Sequence, residues 1–196
     1  MFRCLKLFGI IWVFFFVNFN QSFGAQKSNK RVKAPIAKEK KVSLGELTLS
    51  TTKMRIKTSH GVIAFSFYDQ AAPKTSARIQ ELAESGFYNG LIFHRVVPGF
   101  VIQGGDPTGT GGGGSGKKLP AEFSKVLKHE LGAVAMARTQ DPNSADSQFY
   151  IALGPFPHLD GQYTIFGKVV EGMDILDKIQ QGDKMEVVTI EKNDKK

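Results

Sequence analysis

The residues best equipped for chemistry lie within fourteen positions, 93–106, FHRVVPGFVIQGGD. Arg95 brings a permanent cation, Phe100 an aromatic ring and Gln103 an amide. Pro98-Gly99, a turn-forming pair, divides the stretch. Alternation on either side of it predicts two short strands, about 92–97 and 100–103. Arg95 shares a parity with Val97, and Val101 shares one with Gln103, so each pair projects from one face of its strand. A guanidinium stays charged at any ordinary pH and only donates hydrogen bonds. It can hold an anion or polarise a carbonyl, but it is neither nucleophile nor proton shuttle.

An anion contact suits a basic protein, and the formal charge is +8. The distribution points the other way. From residue 42 onward 17 basic and 17 acidic residues balance, and the excess lies entirely before that point. Nucleic acid is therefore not expected as a partner of the folded part, and an amide is the better target for Arg95. Other chemistries are poorly supplied. His60, His94, His129 and His158 are scattered, with no spacing that puts two on one face, so no metal site is expected. There is no Gly-x-Ser-x-Gly elbow, and no carboxylate pair stands out from the strands.

The glycine loop after Asp106 matches parts of two phosphate-binding patterns, Gly109-x-Gly111-x-x-Gly114 and Gly111-x4-Gly116-Lys117. Both need a helix directly after the glycines. Residues 119–123, Leu-Pro-Ala-Glu-Phe, carry no periodic apolar face, and Lys118 stands where the second pattern needs Ser or Thr. The loop is expected to be flexible and close-packed, and no cofactor is implied. What remains is Arg95 and Gln103 with Phe100, Val101, Met136, Phe149, Tyr150 and Leu159. Taken singly, each aromatic is as well explained by core packing. Together they describe a shaped apolar pocket with one cation.

Strands must hold those residues in place. Runs 53–58 and 62–67, separated by Ser59-His60-Gly61, predict a hairpin. Within 73–85, Ile79, Leu82 and Ala83 recur at helical spacing, with Pro73 at the start and Gly86 as the stop. A continuous apolar run at 131–136 predicts a buried strand, and 138–145 an exposed loop. Strand patterns return at 147–153, 163–170 and 185–190, with a short helix at 173–179. Many short strands with two helices make a mainly β chain, an antiparallel barrel rather than βαβ units.

The N-terminus is expected to be a signal peptide over 1–24. Arg3 and Lys6 precede an eleven-residue apolar run, 7–17. Ser22 and Gly24 then offer small residues for cleavage after Gly24, with Ala25 the second choice. An uncleaved membrane anchor is the lesser reading, since spanning takes about 20 apolar residues. Cleavage removes Cys4, the single cysteine, and with it disulfides and thiolate chemistry. Residues 25–51 form a basic linker or arm, and 52–196 the folded domain.

Three segments carry a family likeness: 93–106, then MARTQDPNSADSQFYI at 136–151, then HLDGQYTIFGKVVEGMDILDKI at 158–179. In order and spacing they resemble the cyclophilins, the cyclosporin-binding peptidyl-prolyl cis-trans isomerases, over roughly 52–190. The short glycine loop and the 137–145 segment look most like the bacterial, secreted members. The resemblance implies a closed eight-stranded antiparallel β-barrel capped by two α-helices, with the proline site on its outer face. It implies Arg95 as the catalytic cation and Phe100, Val101, Tyr150 and Leu159 as the proline pocket. Gln103, Ala137 and Arg138 would hold the substrate backbone, and Gln148, His158 and Tyr163 complete the substrate-binding set. The implied ligand is a proline-containing polypeptide, unfolded or extended, met outside the cytoplasm by a monomer without cofactor or stable membrane insertion.

The chain departs from the family pattern at several of these positions. Val101 stands for the pocket methionine, and Tyr150 for a phenylalanine, adding a hydroxyl that needs a partner. His158 stands for the tryptophan that contacts cyclosporin, Tyr163 for a histidine and Arg138 for an asparagine. Weak cyclosporin binding is therefore expected. The alternative function is a binding module or chaperone that holds proline-containing partners with little turnover.

Overall fold

A computed structural model describes residues 47–192. The expected signal peptide and nearly all of the basic arm lie outside the described residues. Eight strands form one antiparallel sheet in the order β3-β4-β6-β5-β7-β2-β1-β8. They are β1 (Thr52–Thr58), β2 (Gly61–Phe67), β3 (Arg95–Val97), β4 (Val101–Gly104), β5 (Ala133–Met136), β6 (Phe149–Ala152), β7 (Ile165–Glu171) and β8 (Val187–Lys192). The sheet curls around an interior filled by Phe65, Phe67, Phe93, Phe149, Phe166 and Tyr88, all fully buried. Edge-to-face packing such as Phe65 on Phe166, with centroids 5.8 Å apart, fills that space.

Fully laddered closure, expected from the sequence, is not what the strands make. β3 and β8 are the two ends of the order, and β3 is only three residues long. The segments ahead of them meet instead. Gly90 donates to the Met185 carbonyl at 2.7 Å and Phe93 to that of Asp183 at 2.9 Å. The result is a curled half-barrel with an irregular seam.

One α-helix, α1 (Pro73–Glu84), lies among the described residues. Pro73 opens it, and Ile79, Leu82 and Ala83 are buried on its inner face. It has no side-chain cap of its own. Glu122 supplies one from far along the chain, accepting from the amides of Lys74 (3.0 Å) and Thr75 (2.8 Å). The second expected helix is a 3-10 helix, Met173–Lys178. Its end bonds span three residues, Ile175 N–H to the Gly172 carbonyl at 3.1 Å and Ile179 N–H to that of Leu176 at 3.3 Å, the tighter geometry that serves short pieces.

Strand alternation explains where the site must be. Ile102, Val134, Met136, Phe149 and Ile151 point into the main core. Their neighbours Val101, Ala133, Ala135, Tyr150 and Ala152 form a second buried cluster, with Phe100, Ala137, Phe156 and Tyr163 packed over it. Both faces of β4, β5 and β6 are thus covered, which is why these strands lack a polar face.

Candidate functional site

A cleft of about 220 Å³ opens over the second cluster. The sheet register places its key residues in one row: Arg95 opposite Gln103, Gln103 opposite Tyr150, and Tyr150 opposite Ala135. Directly opposed side chains in antiparallel strands sit about 5 Å apart, so the row is a consequence of pairing alone. The turn at Pro98-Gly99 sets this register. Phe100 donates to the Val97 carbonyl at 2.9 Å, and Gly99 takes φ 69° at the position where such a turn needs a positive value.

Nine of the eleven residues expected from the sequence line the cleft: Arg95, Phe100, Val101, Gln103, Ala137, Arg138, Tyr150, Leu159 and Tyr163. None of the nine is a carboxylate, thiol or imidazole. Arg95 is exposed, with its guanidinium 5.6 Å from the Phe100 ring centre and one long hydrogen bond, 3.5 Å, to Gln103 Oε1. Most of its donors remain available to a ligand. Val101 and Tyr150, both buried, form its inner wall.

Gln148 lies outside this cleft, in an adjoining one of about 160 Å³ beside the glycine loop. Its amide NH₂ donates to the carbonyls of Gly111 (2.9 Å) and Gly113 (2.8 Å). Its oxygen therefore faces Gln103 Nε2, at 3.0 Å, which leaves the Gln103 oxygen facing Arg95. Two amides in series thus orient the acceptor beside the cation. His158 is also outside the cleft. It is exposed and stacks behind Phe100, with centroids 6.5 Å apart.

The glycine loop is not the loosely held segment expected from composition. Asp106, 1% exposed, accepts from the amides of Thr108, Thr110, Gly111 and Gly113. Asp146 likewise accepts from the amides of Ser115 and Gly116. Burial raises the Asp106 carboxyl's pKa, but the donors from Thr108, Gly113 and Gly111 outweigh it and hold the value at about 2. A Cβ at Gly113 would collide with that carboxylate, so glycine is required there. The loop's amides are spent on the protein's own carboxylates rather than on a phosphate.

Arg138 serves as a brace. Its guanidinium donates to the carbonyl of Gln162 (2.8 Å) and to that of Thr139 (2.8 Å), and lies 4.6 Å over the Tyr163 ring. The side chain so occupied ties the 138–140 turn to the opposite rim. Its charge is already satisfied within the protein.

The hydroxyl of Tyr150 finds the partner it needs in His129 Nε2, at 2.9 Å. His129, which the sequence offered only as one of four scattered histidines, was the functional neighbour missed. The demand was legible in Tyr150, but its partner comes from a separate loop 21 residues upstream. The remaining histidines stay apart: His60 pairs with Asp183 at 2.9 Å, and His94 is half-buried beside β3.

Comparison with known proteins identifies the family. The model of the cyclophilin type peptidyl-prolyl cis-trans isomerase family matches residues 53–195. A peptidyl-prolyl cis-trans isomerase of Helicobacter pylori is 45% identical over 141 residues, covering 70% of this chain and 86% of that one. Peptidyl-prolyl cis-trans isomerase B of Bacillus subtilis is 46% identical over 130 residues, 66% of this chain and 90% of its own. Among solved structures, a cyclophilin type isomerase of Cryptosporidium parvum superposes with TM-score 0.69 at 33% identity, over 73% of this chain and 99% of that one. That protein has also been solved in the presence of the dipeptide Ala-Pro.

Proposed function

The chain belongs to the cyclophilin-type peptidyl-prolyl cis-trans isomerases, and from that premise we propose how its cleft does the work and on what. The substrate is a proline-containing segment of an unfolded or extended polypeptide. Its proline ring lies against Phe100, Val101, Tyr150 and Leu159, and its prolyl carbonyl faces Arg95.

X–Pro bonds turn slowly because amide resonance imposes a barrier of about 18–20 kcal/mol. In the twisted state that resonance is lost, and the lone pair returns to the prolyl nitrogen. A fixed guanidinium beside the bond gains more from the localised charge of the twisted amide than from either planar isomer. Such preferential stabilisation of the transition state is what accelerates a reaction. Gln103 turns its amide oxygen toward the guanidinium, and the cleft grips the ring while the preceding residue swings. No bond is made or broken, in keeping with a lining that holds no carboxylate, thiol or imidazole.

The observation that carries this reading is the row Arg95–Gln103–Tyr150, which sets a free cation beside an apolar cleft. The chain is further proposed to act as a monomer on clients outside the cytoplasm, after loss of the 1–24 leader. The test uses catalytic amounts of the protein with an X–Pro peptide. Both directions of isomerisation are expected to accelerate equally, with the cis/trans ratio unchanged. A module that only holds proline segments would instead shift the ratio at stoichiometric amounts and leave the rate alone.

A further inference from the structure

Tyr150 forms a wall of the cleft, yet its hydroxyl is buried away from solvent and must be matched. The match belongs to a chain of contacts that runs behind the cleft. Asp160 Oδ1 accepts from the backbone amide of His129 at 2.8 Å and lies 3.0 Å from its Nδ1. An ionised carboxylate only accepts, so Nδ1 carries the ring proton. Burial lowers the His129 pKa and favours the neutral ring, in which Nε2 is the acceptor and the Tyr150 hydroxyl donates to it across 2.9 Å.

Three bonds bind His129 to the segment that forms the cleft's far rim: the two to Asp160, and Phe156 N–H to the His129 carbonyl at 2.8 Å. The His129 side chain has no exposed surface. Its ring lies nearly parallel to Tyr150, 12° apart, and edge-on to Tyr163 at 86°. Lys128, 3.4 Å from Asp160, keeps a positive charge on the carboxylate's outer side.

We propose that His129, oriented by Asp160, is a positioning residue for the isomerase site. It locks Tyr150 in the orientation that presents its ring to the proline, and it joins that wall to the rim supplying Leu159 and Tyr163. The inference rests on the cleft being the proline pocket. Without an acceptor at His129, the hydroxyl is left unpaired in an apolar surround or must swing into the cleft to reach water. Either outcome loosens the grip on the ring. Arg95 and Gln103 stand on β3 and β4 and are untouched, so the damage falls on binding rather than on turnover.

The experiment compares His129→Leu, Tyr150→Phe and the double variant by kcat and KM on an X–Pro peptide, with Arg95→Ala alongside. His129→Leu is expected to raise KM about tenfold, with kcat within about threefold of the parent. Adding Tyr150→Phe removes the stranded hydroxyl and should bring KM back to within about threefold, a coupling that independent structural defects do not show. An unchanged KM in His129→Leu, or a double variant no better than the single, overturns the proposal. Should His129→Leu fail to fold, Asp160→Ala reads the same device: KM rises and Tyr150→Phe relieves it, or the proposal is wrong. If Arg95→Ala abolishes turnover while these variants behave as the parent, only this inference falls. An inactive parent removes the proposed function as well.

Discussion

At the scale of single residues, Arg95 differs from every other cation around the cleft. Arg138 is consumed by backbone carbonyls and the Tyr163 ring, whereas Arg95 has one long bond to Gln103. Removing a preorganised donor of this kind costs about 10²–10³ in rate, and Arg95→Ala is expected to lose that much kcat/KM in a peptide isomerisation assay. Arg95→Lys should recover only part, because an ammonium lacks the planar fork; full activity in the lysine variant would show that charge alone suffices. His158, exposed and stacked behind Phe100, leaves no indole at the position where the family contacts cyclosporin. Weak inhibition is therefore expected, and a nanomolar inhibition constant would contradict it. The types and spacing of Arg95, Phe100 and Gln103 made part of the cleft's lining legible in advance. Gln148 and His158 were assigned by position alone, and the contacts that draw them to the loop and to the back of Phe100 are long-range.

At the scale of elements, period-two alternation, continuous apolar runs and turn chemistry identified all eight strands, with shifts only at their ends. The sequence predicts the helix near 173–179 but not its 3-10 form, and the irregular seam escaped because short pieces and interrupted ladders leave little periodicity to read. The glycine loop escaped for another reason. Composition reported its freedom but not the carboxylates of Asp106 and Asp146 that remove it. Asp106 makes the loop's order pH-dependent. Its carboxyl sits at about 2 in the fold against an ordinary 3.8. The associated stabilisation, about 2 kcal/mol, is fully present above pH 4 and is lost as pH falls towards 2. Urea unfolding at pH 7 and pH 2.5 should show a smaller drop for Asp106→Asn than for the parent. Equal drops would mean that the carboxylate contributes nothing. The same variant tests whether the loop supports catalysis, since Gly111 and Gly113 hold the Gln148 amide that orients Gln103.

At the scale of the whole molecule, the charge excess lies before residue 42 and the chain beyond it balances. The proposed loss of the 1–24 leader predicts that N-terminal sequencing of the mature protein finds a start at Ala25 or Gln26. Recovery with Met1 intact in a membrane fraction would favour an anchored form. On the proposed mechanism the domain needs no charge attraction to its clients, since affinity comes from the apolar cleft and rate from one guanidinium. That separation of binding from turnover is the central claim, and exchange NMR on an X–Pro peptide tests it most directly. With Arg95→Ala, peptide affinity should stay within about threefold of the parent while the cis–trans exchange rate falls about a hundredfold. Exchange that persists without Arg95, or affinity that collapses in step with it, would contradict the mechanism.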